Sequence, residues 1–249
     1  MSRRCWRLAA LIAPLLLLLS AAPALAQAVT VDLGAEGGST TGRIVQLVAL
    51  LTVLSLAPAI LVTVTSFTRI IVVLSFLRNA LGMQTTPPNL VLISLALFLT
   101  GFVMAPTLEK SYDDGIAPLI AEKLPEQEAL TRAAAPLHDF MAAHVRREDV
   151  DLFAGMAKLD KISDPKAVPY RVLMPAFMIS ELRRAFEIGF LLFLPFLVID
   201  LVVASILMSM GMMMLPPVTI SLPFKLIFFV LVDGWYLVAG SLVQSFGPN

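Results

Sequence analysis

From Ile44 to Ser66 the chain runs 23 residues without a charged side chain. A helix rises about 1.5 Å per residue, so a run of that length reaches across a hydrocarbon core of about 30 Å. Lipid offers the backbone no hydrogen bonds, and a helix satisfies all of its own. Three further apolar runs follow, Leu90 to Pro106, Ile188 to Leu215 and Leu222 to Val243. The piece from Ile70 to Leu77, set between Arg69 and Arg78, is too short to cross alone. Composition agrees: 58% of residues are hydrophobic and 14% charged, with a mean hydropathy of +0.88. Soluble domains hold about 25% charged residues. The expectation is an all-α integral membrane protein with about four long hydrophobic helices. Pro58 is expected to kink the first of them.

Four segments follow from the pattern. Residues 1–26 read as a cleaved signal peptide, with Arg3, Arg4 and Arg7 ahead of an apolar stretch and Ala24-Leu25-Ala26 before the cut. An uncleaved anchor is the alternative. Residues 27–106 form a Gly-rich lead and the first hydrophobic helix pair. Residues 107–184 carry most of the 18 Lys/Arg and 18 Asp/Glu, and read as a water-exposed helical domain. Its expected apolar anchors are Leu130, Leu137, Phe140, Met141, Val145, Leu152, Phe153 and Met156. Residues 185–249 form the second hydrophobic pair. A cleaved N-terminus outside and four crossings put the charged domain outside. The loops at 67–89 and 216–225 then lie inside, with Arg69, Arg78 and Lys225 and no acid, as the positive-inside rule asks.

Several function classes drop out. Net charge is zero, which gives no electrostatic footprint for nucleic acid. The one cysteine, Cys5, lies in the segment expected to be removed, and His138 and His144 have no obvious ligand partners. No cofactor or metal is expected. What remains are ionisable residues within apolar runs, which are functional candidates because burying them is costly. Asp200 and Asp233 could act as a carboxylate pair in an intramembrane enzyme, or relay protons. Val198-Ile199-Asp200 lacks the tyrosine and Val232-Asp233-Gly234 lacks the Gly-x-Gly-Asp pattern of intramembrane aspartyl proteases. Structural pairing is preferred, with a backbone amide, a lysine or a neighbouring subunit. Lys225 lies eight residues before Asp233, too far to pair along one straight helix. Arg69 and Arg78 mark the inner face or pair between subunits. Glu181, Arg184 and Glu187 share a helical face and are candidates for the same role.

The densest signal is the turn between the last two runs. Met208, Met210, Met212, Met213 and Met214 crowd it, and Pro216-Pro217 ends it. Consecutive residues turn about 100° apart, so Met212, Met213 and Met214 cannot share one helix face. They form a flexible, polarizable lip instead of a buried stripe. Gly211, Pro216 and Pro217 are the joints about which such a lip bends. Packing filler is the plain alternative.

This block resembles the FliP family of flagellar type III export-gate subunits. The likeness rests on Asp200-Leu201, Ala204-Ser205, Met208 through Pro217, Ser221-Leu222-Pro223-Phe224-Lys225 and Asp233-Gly234-Trp235. It extends to Thr65 through Ile70, Arg78 through Gly82, Pro175-Ala176-Phe177 and Ser180-Glu181-Leu182, and is weakest over 107–165. The resemblance implies helical hairpins stacked in a cone largely above the inner membrane, in place of ordinary spans. It implies five copies of the chain assembled with FliQ and FliR, beside other membrane proteins of the export apparatus and lipid. Unfolded flagellar proteins would pass through the centre. By the same motif match, Met212, Met213 and Met214 would form the constriction that seals the resting channel. The energy source would lie elsewhere, so no enzyme activity is implied. Injectisome export gates contain a close relative, which leaves virulence cargo as the alternative.

Overall fold

A computed structural model describes residues 40–159, 164–212 and 215–247. The expected signal peptide, Met213 and Met214 lie outside the described residues. The chain divides into two compact units, Met1–Val53 and Leu54–Asn249. Every site below lies in the second.

All elements among the described residues are helical: α1 (Thr40–Val64), α2 (Phe67–Ala80), α3 (Asn89–Ser111), α4 (Ala117–Ile120), α5 (Glu126–His144), α6 (Arg147–Met156), α7 (Tyr170–Ser209), α8 (Pro217–Leu231) and α9 (Gly234–Gln244). A π-helical turn, Tyr112–Ile116, carries α3 into α4, and a 3₁₀ turn, Pro165–Ala167, precedes α7. By length and composition two helices could cross a bilayer, Asn89–Ile120 and Tyr170–Ser209. Two bent pairs raise that to as many as four. The expected all-α membrane architecture therefore holds, with changes in where the helices begin and break.

The first change is at Thr65–Ser66. Pro58–Val64 and Phe67–Ala80 meet there at 84°. Hydroxyl groups take up the carbonyls that the broken ladder frees: Thr65 Oγ1 donates to Leu61 O at 2.6 Å, and Thr68 Oγ1 donates to Val62 O at 2.7 Å. Past the bend, the short apolar piece becomes a core helix. Ile70, Val73, Leu74, Leu77 and Ala80 of α2 are fully buried. Leu92 and Ala96 of α3, Ala185 and Phe196 of α7, Phe229 of α8, and Val238 and Leu242 of α9 pack around it.

The second change is the length of α7. It is one 40-residue helix from Tyr170, beginning well before the apolar run that starts at Ile188. Pro169, in an extended conformation, sets its start. The polar stretch around Glu181–Glu187 stays helical and makes an exposed pair, Arg183 Nε to Glu187 Oε1 at 3.1 Å. The third change is in the last run, which bends by 64° between α8 and α9. Asp233 stands at the break with φ 50° and ψ 52°, a left-handed conformation that Asp tolerates better than most residues. The aspartate expected inside a span thus sits exposed at a corner.

In the charged segment α5 and α6 fold onto α3 and the first half of α7. Phe140 and Met141 are buried there with Met104, Val150, Ala154, Leu173, Ala176 and Phe177. Leu137, Val145 and Phe153 are partly buried. Leu130, Leu152 and Met156, expected as anchors, are exposed; their helices turn those positions outward.

Gly189 lets α2 and α7 approach. A Cβ at this position would lie 2.6 Å from Phe76 Cδ2, and that ring already meets Phe186 edge-on at 5.0 Å. Gly189→Ala is predicted to cost about 1–3 kcal/mol through overpacking. Thermal unfolding in detergent checks it; an unchanged midpoint would show that Phe76 moves aside freely.

Candidate functional site

Helix α2 has a buried cation near its start. Arg69 and Glu181 are 1% and 0% exposed, and form a bidentate pair in which Nε donates to Oε2 at 2.8 Å and Nη2 donates to Oε1. Arg69 Nη1 is used as well, donating to the carbonyl and the Oγ of Ser245, each at 2.9 Å. The Phe246 ring lies 3.7 Å from the guanidinium carbon. A planar guanidinium with fixed donors suits this setting, where a lysine could not hold all the acceptors together. Both residues were candidates for pairs between subunits. Here they find each other within one chain, Glu181 turning inward while Glu187 pairs with Arg183.

The other end of α2 meets a second buried cation. Lys225 Nζ donates to the Ala80 carbonyl at 3.1 Å and to Asp200 Oδ2 at 2.7 Å. Ser221 Oγ donates to Asp200 Oδ1 at 2.5 Å. The Lys225 side chain is 3% exposed and that of Asp200 23%. Spacing along one helix had set Lys225 only against Asp233; its partner is on α7, across the Met-rich turn. Ser221 and Lys225 fall four apart, on one face of α8, and that face meets Asp200.

These contacts close the hairpin whose tip carries the methionines. Helix α7 ends in a Schellman motif: Gly211 N–H donates to Met208 O at 3.1 Å and Met212 N–H to Leu207 O at 3.0 Å. Gly211 has φ +75°, which a glycine adopts without strain. It is the helix stop. Pro216 follows as the extended N-cap of α8, and Pro217 is its first residue. Met208, Met210 and Met212 are 59%, 62% and 43% exposed. They project from the helix end.

Arg78 does a local task, donating from Nη1 to Asn89 Oδ1 at 2.5 Å across the turn between α2 and α3. Arg184 is half-buried on α7 and makes no hydrogen bond or ion pair among the described residues. Sequence reasoning missed Ser221, Ser245 and Phe246. It also missed a network beneath α6, where Ser180 Oγ donates to Asp149 Oδ2 at 2.6 Å and accepts from Arg146 N–H at 3.0 Å. Ser245 gave no signal beyond being small and polar, and Ser221 and Ser180 only their place in the resembling motifs.

Neither Asp200 nor Glu181 is placed as a free acid or base, since each carboxylate is already engaged at both oxygens. What the arrangement does is fasten helices: one pair joins α2, α7 and the turn after α9, the other joins α2, α7 and α8. Residues 50–242 match the model of the FliP family. The chain belongs to the FliP family. It is 63% identical over 226 residues to the flagellar biosynthetic protein FliP of Caulobacter vibrioides, covering 90% of this chain and 85% of that one. The Bacillus subtilis protein of the same name is 57% identical over 202 residues, 81% of this chain and 91% of its own. The Aquifex aeolicus FliP is 48% identical over 233 residues, 93% and 97% of the two chains. Arg69, Glu181, Asp200, Lys225 and the Met-rich turn all lie inside the FliP match, whereas Ser245 and Phe246 lie just past its end.

Removing one member of a buried pair leaves an uncompensated charge. Glu181→Gln is predicted to destabilise the fold by about 3–5 kcal/mol, with Arg69→Met/Glu181→Leu recovering most of the loss. Denaturant unfolding of the unaltered chain and these two variants in detergent measures this. A double variant as unstable as the single would mean that the pair contributes more than mutual neutralisation.

Proposed function

We propose that this chain is a pore-forming subunit of the flagellar export gate. It assembles with further copies of itself and with FliQ and FliR in the inner membrane, the charged segment 107–184 on the periplasmic side. Unfolded flagellar proteins pass through the centre. Membership of the FliP family and relatives named flagellar biosynthetic proteins support a flagellar role, and favour it over injectisome cargo. The family's role is in export and not in enzyme catalysis. The engagement of Asp200 by Lys225 and Ser221 further disfavours a shared-proton carboxylate pair with Asp233.

One observation carries the channel seal. Three thioether side chains, Met208, Met210 and Met212, project from the end of a 40-residue helix at a turn that also exposes Leu215. Unbranched and polarizable, such side chains fill an irregular gap and yield to a passing polypeptide. A ring of them, one set per copy, makes a narrow apolar constriction that excludes water and ions by dewetting. Met212, Met213 and Met214 are assigned to that constriction. Gly211, Pro216 and Pro217 fix where the lip starts and ends. Arg184 is the charge left for a carboxylate of a neighbouring subunit.

In cells expressing the full gate, changing Met212, Met213 and Met214 together to Ala is predicted to make the membrane leak small ions while assembly stays intact. A gate that assembles and remains tight would remove the methionine seal from this reading.

A further inference from the structure

Helix α9 is 11 residues long and buries only Gly234, Val238 and Leu242. Asp233, in a left-handed conformation, separates it from α8 at a 64° bend. So short a helix, joined through a corner, holds little apolar surface of its own against the rest of the chain. The turn that follows it is held far more closely. Ser245 offers both its carbonyl and its Oγ to Arg69 Nη1. Phe246 covers the guanidinium face at 3.7 Å, stacks on Phe140 of α5 at 6.1 Å and 21°, and tilts against His144 at 5.4 Å. It packs against both hydrophobic cores, the one around α2 and the one beneath α5 and α6.

We propose that Ser245 and Phe246 form a latch that fastens α9 to the charged helices. Arg69 is the catch. Glu181 holds the guanidinium flat and in register, so the one arginine nitrogen left over, Nη1, points at the turn. Phe246 adds a cation–π contact on one side and aromatic contacts on the other. With the latch closed, α9 cannot swing about the Asp233 corner. With it open, Asp233-Gly234 becomes the joint, and α9 leaves α2 and α3 while the Arg69–Glu181 pair remains. The element next to the Met-bearing hairpin then has two discrete states, separated by a few specific contacts.

Hydrogen exchange read by mass spectrometry on the full chain, in lipid nanodiscs, tests this. Phe246→Ala is expected to speed exchange of the α9 amides, residues 234–244, by about tenfold or more, with α2 and α7 near Arg69 and Glu181 unchanged. Phe246→Tyr, which keeps the ring, is expected to match the unaltered chain. Arg69→Lys keeps a charge but loses the fork, and is expected to release α9 as well. Unchanged α9 exchange in Phe246→Ala would overturn the latch. So would an equal rise across α2, α7 and α9, since Phe246 would then be one more member of a shared core.

Discussion

A guanidinium with 1% exposure must bring its counter-ion into the interior with it, and the fold around α2 follows from that requirement. Taking both ions out of water costs several kcal/mol each, repaid only by close geometry and by partners for the remaining donors. Arg69 meets both conditions. Its fork fixes Glu181 on α7, and its spare nitrogen fixes Ser245 after α9. Three segments far apart in sequence are thereby set in one register. Apolar packing sets how closely α2 and α7 approach, as at Gly189 against Phe76, and the ion pair adds a directional contact to it.

The opposite end of α2 repeats the principle with different chemistry. Lys225 reaches the Ala80 carbonyl, an acceptor left over where the helix ends. A cation near a helix C-terminus also interacts well with the helix dipole. Its other partner, Asp200, lies nine residues before the end of α7. The Met-rich turn is therefore hung from a hairpin tied near its base. Beyond the tie, the Schellman stop at Gly211 ends α7 and the Pro216-Pro217 pair starts α8. This is the physical reason that Met208, Met210 and Met212, flexible as they are, project from a fixed helix end.

Much of this was legible in the sequence, for reasons that can be named. Charge-free runs announce membrane-class helices because lipid admits little else, and the polar 107–184 segment stands out against them. The Met-Gly-Met-Met-Met and Pro-Pro residues marked a turn because glycine and proline act locally. Breaks within apolar runs were not legible. Nothing in Thr65-Ser66 says that hydroxyls will replace ladder hydrogen bonds, and Asp233-Gly234 reads as easily within a span as at a corner. Pair partners were also hidden. Spacing along one helix sets Lys225 only against Asp233, and the sequence offers Glu181 a neighbouring subunit. Their true partners come from other helices, and only the packing brings them together.

The distribution of burial along α7 gives the remaining step. Its first half is set into the core, with Val172, Leu173, Ala176, Phe177, Ser180, Glu181, Ala185 and Gly189 buried. Beyond Gly189 only Phe196 and Leu207 are buried, while Phe190, Leu191, Val198, Leu201, Val202 and Ile206 are exposed. The second half is thus barely packed by its own chain. Where such a surface meets lipid or another apolar helix, contact between helices gains no hydrophobic drive, since lipid tails are equally apolar. Polar ties must then fix the geometry. The Asp200–Lys225 pair falls in this under-packed half, and the Arg69–Glu181 pair inside the packed one. Their placement lets α7 be rigid where it joins the charged helices and open to other chains where it approaches the methionine turn.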